Sequence, residues 1–264
     1  MVRKPIVMAN WKMNKLPSEA SDYIQHIQKP LLAYPEIETI LAGQDVLLDA
    51  MVNAAQGTTI EIAAENVYWK ERGAYTGETS PAALADLGIK HVIIGHSERR
   101  IYFRETNEMV NLKALAALRN GLHPIVAIDE QIQIVSHSDH MHWVVNEVIE
   151  ALKGINIEDI PNVVLAFEPT QSIGSGQALN ADQAQENLYL IRQTVSDMFD
   201  AQIADRVRIM YGGSVKPANA LALLEKPDID GVLVGDAALD ANTFLELVRL
   251  AQVAYRQKDK KISS

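Results

Sequence analysis

A carboxylate, Glu168, ends the apolar run 163–167, and behind it comes Pro169-Thr170-Gln171-Ser172-Ile173-Gly174-Ser175-Gly176, a loop carrying two glycines. The run is β-branched and aromatic and lies between Pro161-Asn162 and Pro169, the pattern of a strand buried on both faces. Parallel α/β sheets bind ligands at the C-terminal ends of their strands, so an acid placed there suits general-base work beside a glycine lid. The plainer alternative is a strand-end carboxylate that caps the next helix. Other strand ends carry chemistry too. In Asn10-Trp11-Lys12-Met13-Asn14, Asn10 and Lys12 are two apart and would face one side of an extended chain, offering fixed positive charge to an anion. In Gly95-His96-Ser97-Glu98-Arg99-Arg100, His96 could polarise a carbonyl or shuttle a proton. Tyr211-Gly212-Gly213-Ser214 and Gly235-Asp236 suit backbone N–H groups wrapped around a phosphate.

Each of these has a structural alternative: a satisfied histidine, a Gly-Gly turn, a lysine that snorkels to solvent. Together they supply acid, imidazole, cation and phosphate cradle at the ends of different strands. Two other signals are rejected. Gly174-Ser175-Gly176 lacks the third glycine of a dinucleotide fingerprint. His137, His140 and His142 fall at a helix start without matching zinc ligands nearby, so no metal and no cofactor are expected.

The elements that would position these residues are legible. Apolar runs recur at 6–9, 39–42, 60–63, 91–94, 125–128, 163–167, 207–210 and 232–234. Helical patterns lie between them. Ser80-Pro81 reads as N-cap and first helical residue, Asn120-Gly121 as a helix end, and Asn180 with Gln183 as a capping box. Met109, Leu112, Leu115, Ala116 and Leu118 have near-helical spacing, as do Val144, Val145, Val148, Ile149 and Leu152, which predicts two core-facing helices. Eight strands alternating with helices, without a Pro-, Gly- or Ser-rich linker, predict one α/β domain over 1–264, a (β/α)8 barrel, with a doubly wound sheet as the alternative. The polar tail from about 257 to 264 is expected to fray.

Composition sets outer bounds. Of 264 residues, 48% are hydrophobic and 22% charged, and no uninterrupted apolar stretch is long enough to span a bilayer. The N-terminus lacks the pattern of a secretory signal, so a cytoplasmic location is expected. There is no cysteine, which excludes disulfides and thiolate chemistry. A net charge of −10 argues against a nucleic-acid partner, while a small anionic substrate responds to local charge instead.

The order of Asn10-Trp11-Lys12-Met13-Asn14, Gly73-Ala74-Tyr75-Thr76-Gly77-Glu78, Gly95-His96-Ser97-Glu98-Arg99-Arg100, Glu168-Pro169, Ile173-Gly174 and Tyr211-Gly212-Gly213-Ser214 resembles the triosephosphate isomerase family over nearly the full length. The resemblance implies Glu168 as base, neutral His96 as electrophile, Lys12 as the cation beside an enediolate with Asn10 assisting, and Glu98 in support. Gly174, Ser214, Gly235 and Asp236 would contact the phosphate of a small sugar phosphate. It also implies a homodimer in which a partner buries Tyr75 and Thr76. Three departures stand out: Thr170-Gln171 where the family has Val-Trp, Ala127-Ile128-Asp129-Glu130 where it has Cys-x-Gly-Glu, and Gly235-Asp236 where it has Gly-Gly. The last puts a carboxylate beside a phosphate site, expected to turn outward to a cation. An isomerase of another sugar phosphate, such as a tetrulose phosphate, and a catalytically weak phosphometabolite-binding barrel are the alternatives.

Overall fold

The computed structural model describes residues 3–129, 137–169 and 179–263, with no side-chain description for 137–140 or 262–263. Eight parallel strands close into one barrel in sequence order: β1 (Ile6–Asn10), β2 (Glu38–Gly43), β3 (Ile60–Ala64), β4 (His91–Ile94), β5 (His123–Asp129), β6 (Val164–Glu168), β7 (Arg208–Tyr211) and β8 (Gly231–Val234). Closure is direct, since β8 pairs with β1 from Ile6↔Gly231 to Ala9↔Val234. The doubly wound alternative is thereby excluded. Alternation along each strand divides the core. Ile6, Met8, Ile40, Ala63, Ile125, Val164 and Met210 fill the barrel, while neighbours such as Val7, Leu41, Val126 and Leu165 pack outward against the helices. Removing either layer would leave the strands half exposed, which is why the runs carry no polar alternation.

The same alternation leaves polar residues at the two barrel mouths. At the N-terminal mouth Glu38 pairs with Arg208 and Glu61 with Lys90 and His91. At the C-terminal mouth the next inward positions are Asn10, Asp129 and Glu168, the last two in cross-strand register.

Helix punctuation follows the expected chemistry. Ser80 accepts from the Ala83 N–H at the start of α3 (Pro81–Asp86), and Asn180 and Gln183 form a reciprocal capping box on α7 (Ala181–Met198). The helix α5 (Asn107–Arg119) ends at Asn120 with Gly121 at φ 74°.

Three expectations require correction. In α5 Ala116 is buried and Leu115 and Leu118 pack against the core as expected, but Leu112 is exposed and the most buried positions are Val110, Lys113, Ala114, Ala116 and Ala117, because small residues let the helix sit close to the strands. Helix α6 (His137–Leu152) buries Val144, Val148 and Leu152 as expected, but Ile149 is exposed and Glu147 takes an inward place. The polar tail continues as helix: α10 runs Ala241–Ser263, with the Lys258 ammonium donating to the Ile229 carbonyl at 2.9 Å. Among the described residues no helix is long and apolar enough to cross a membrane.

Candidate active site

A cleft of about 420 Å³ opens at the C-terminal mouth and is lined by Asn10, Lys12, His96, Glu98, Glu168, Gly212 to Ser214, Gly235 and Asp236. Strand ends β1, β6, β7 and β8 and the start of α4 (Ser97–Phe103) deliver these residues from positions far apart in sequence. Gly174 and the departures at Thr170-Gln171 lie outside the described residues.

His96 is the N-cap of α4, and its Nδ1 accepts the Glu98 N–H at 3.2 Å. A ring nitrogen that accepts cannot carry a proton, so the imidazole is neutral with its hydrogen on Nε2. That Nε2 lies 3.1 Å from Glu168 Oε1. The preceding Gly95 has φ 71°, and a Cβ there would stand 2.7 Å from a Val110 methyl carbon, so glycine is required for the sharp exit from β4.

Glu168 is 1% exposed, and its Oε2 accepts the Ser97 N–H at 2.9 Å. Sequence reasoning missed Ser97 because its main chain, not its side chain, makes this contact. Gly212 closes the other side: its N–H donates to the Phe167 carbonyl at 2.8 Å, and a Cβ on it would meet Glu168 Cγ at 3.1 Å. The carboxylate is therefore held on two sides.

Lys12 and Asn10 reach the cleft together, though not along an extended strand. Lys12 has φ 52°, its N–H donates to Asn10 Oδ1 at 3.2 Å, and its ammonium stands 2.7 Å from Glu98 Oε1. The turn, costly for a non-glycine residue, aims the ammonium towards Gly235, where a Cβ would be 3.9 Å from Nζ. Gly213, Ser214, Gly235 and Asp236 face it across a space suited to an anion. The Asp236 carboxylate is exposed, and among the described residues no basic side chain pairs with it, so the expected cation partner is not found.

The family model for triosephosphate isomerase matches residues 5–251. The chain belongs to the triosephosphate isomerase family. Its relatives include the triosephosphate isomerase of Lactiplantibacillus plantarum, 46% identical over 247 residues covering 94% of this chain and 98% of that protein. Another is that of Latilactobacillus sakei, 45% identical with the same coverage.

Metal-like spacing occurs away from this cleft. Among the described residues Glu38, Glu61 and His91 bring ligand atoms within 4.8 Å of one another at the opposite mouth of the triosephosphate isomerase barrel. Arg208 and Lys90 already neutralise both carboxylates, so a dication would add uncompensated charge. The cluster serves as an ion-paired plug.

Proposed function

We infer that this chain interconverts D-glyceraldehyde 3-phosphate and dihydroxyacetone phosphate through an enediolate, with no cofactor in the reaction. Glu168 takes the proton from the carbon α to the carbonyl. The Nε2–H of neutral His96 donates to the carbonyl oxygen as it gains charge and takes up the proton of the neighbouring hydroxyl, while Glu168 delivers its proton to the former carbonyl carbon, so that both residues end as they began. Lys12, with Asn10 beside it, offsets the negative charge that moves from the carboxylate to the substrate oxygen. The phosphate sits against backbone N–H groups around Ser214, Gly235 and Asp236, where two glycines at 212 and 213 leave room for an anion.

The hydrogen bond from the Glu98 N–H to His96 Nδ1 carries this reading, because it fixes the hydrogen-bearing nitrogen on the side where Glu168 stands. Replacing Glu168→Gln tests it. The amide keeps the shape and removes the base, so kcat should fall by at least about a hundredfold, the lower bound for general-base catalysis. Near-wild-type turnover by the folded variant would remove Glu168 from the mechanism.

The active form is a homodimer. In the single chain residues 72–78 are exposed throughout, including Tyr75 and Thr76, and Met13, directly after Lys12, is 85% exposed. Tyr102 and Phe103 at the end of α4 add apolar surface. So much exposed aromatic and aliphatic area close to the cleft is what an obligate partner would cover. Gly73 at φ 141° and Gly77 at φ 93° give the 72–78 loop a shape other residues rarely adopt, and a Cβ at 73 would strike the Tyr75 ring at 2.6 Å.

A further inference from the structure

A second and third buried carboxyl stand behind Glu168. Asp129 pairs with Glu168 in register across β5 and β6, at a position where the family pattern has glycine, and it is 2% exposed. Glu147, from α6, is 1% exposed and accepts the Asp129 N–H at 2.7 Å through Oε2. One guanidinium pairs with only one of these acids. Arg100 of α4 stands 3.2 Å from Glu147 Oε1 and spends its other donors on the Gly95 and Ala127 carbonyls and on Asn107. Among the described residues Asp129 Oδ1 is buried without a hydrogen-bond partner. His96, the remaining titratable group facing this cluster, accepts the Glu98 N–H through Nδ1.

Three carboxylates around one guanidinium, excluded from water, cannot all be ionised cheaply, because each further negative charge lacks a counter-ion. The geometry points to Asp129 and Glu147 as two coupled buried carboxyls that hold one proton between them and, by releasing it, place a second negative charge behind Glu168 that favours proton transfer onto that carboxylate, so that Asp129 is a positioning residue for the isomerisation. Burial pushes both acids up, Asp129 against the pull of Arg100 and Glu147 to about 7, which places the release of the shared proton near neutrality. Below that point the pair carries one charge, balanced by Arg100. Above it the pair carries two, and the uncompensated charge next to Glu168 favours transfer of the substrate proton onto that carboxylate. Charge then leaves the crowded cluster for the substrate oxygen near His96 and Lys12. This rests on Glu168 being the base.

The test is the pH profile of kcat at saturating substrate for the wild type, Asp129→Asn and Glu147→Gln. The substrate's own phosphate ionisation is common to all three, so differences report the protein. The wild-type kcat should rise roughly two- to fivefold through an inflection near pH 7 as the pair gains its second charge, and both variants should lack that step. Infrared difference spectra of the wild type should show a protonated-carboxyl stretch that disappears across the same interval, a readout that does not depend on either variant folding. Profiles of wild type and both variants that superimpose, or the absence of a titrating carboxyl band near neutrality, would overturn the proposal. The underlying reading fails separately: if Glu168→Gln keeps its turnover, the base is wrong, whereas an inactive Glu168→Gln with superimposable profiles refutes the carboxyl pair alone.

Discussion

Gly212→Ala converts a steric detail into a measurable loss of catalysis. The new Cβ would stand 3.1 Å from Glu168 Cγ and 3.2 Å from the Phe167 carbonyl oxygen, against 3.6 Å from Leu233 Cδ2. Something must yield by a few tenths of an ångström. The Phe167 carbonyl is held by the Gly212 N–H at 2.8 Å, within strands already paired from Val164↔Arg208 to Phe167↔Tyr211, so the backbone is the stiffer neighbour. The Glu168 side chain gives way instead. Its carboxylate is anchored at the Ser97 N–H, 2.9 Å, and at His96 Nε2, 3.1 Å, so displacement of Cγ rotates the proposed base out of line with the substrate carbon. Misplacement by about 1 Å costs on the order of a hundredfold in rate, so a shift of a third to a half of that predicts a kcat lower by roughly five- to tenfold. The KM should change less than kcat, because the new Cβ meets Glu168 and the Phe167 carbonyl and not the proposed phosphate contacts at Ser214, Gly235 and Asp236. Overpacking costs about 1–3 kcal/mol, while alanine recovers ~0.4–1 kcal/mol through the unfolded chain where its φ is permitted, so the net destabilisation is about 0–2.5 kcal/mol and the variant folds. Steady-state kinetics in both directions, with a thermal melt as a folding control, make the measurement. A folded Gly212→Ala enzyme with kcat within twofold of wild type would show that Glu168 is not held against Gly212 during turnover.

Other consequences are open to simple assays. Because the Asp236 carboxylate faces solvent, Asp236→Gly should change kcat/KM for glyceraldehyde 3-phosphate only a few-fold; a gain of a hundredfold would show that this carboxylate opposes phosphate binding. Burial raises Glu147 from 4.5 to about 7, so its contribution to stability is fully present below about pH 4.5 and is lost as pH rises towards 7 and above. The wild type should lose on the order of 3 kcal/mol through this group across that interval, an upper figure since other groups titrate as well, and Glu147→Gln should flatten that part of the curve. Urea melts at pH 5 and pH 8 with equal slopes for both proteins would contradict it. The exposed 72–78 loop should bring two chains together, and Tyr75→Asp should shift the protein towards monomer in light scattering; a wild-type monomer with full activity at micromolar concentration would exclude the dimer.

Much of this protein could be read from the order of its residues. The eight strands were legible because helices cover them outside and side chains fill them inside, so each appears as a continuous apolar run. Helix punctuation at Ser80, Asn120 and Asn180 was legible because capping is local, decided within three or four residues. The residues lining the cleft stood out because barrel strands end at one mouth, so Glu168, His96 and Lys12 needed no distance information to be grouped. Their states were another matter. The tautomer of His96 depends on the Glu98 N–H at the start of α4, and the hold on Glu168 on the Ser97 N–H, 71 residues away in the chain. Lys12 reaches the cleft by a left-handed turn that no residue type in Asn10-Trp11-Lys12 announces. Which face of α5 is buried was decided by close approach to the strands, which favours its alanines over its leucines. Asp129 shows the division most clearly. Strand period alone puts it on the inward side, but only barrel register sets it against Glu168 and only the packing of α6 brings Glu147 to both, since charge coupling depends on separation in space and the sequence orders separation along the chain.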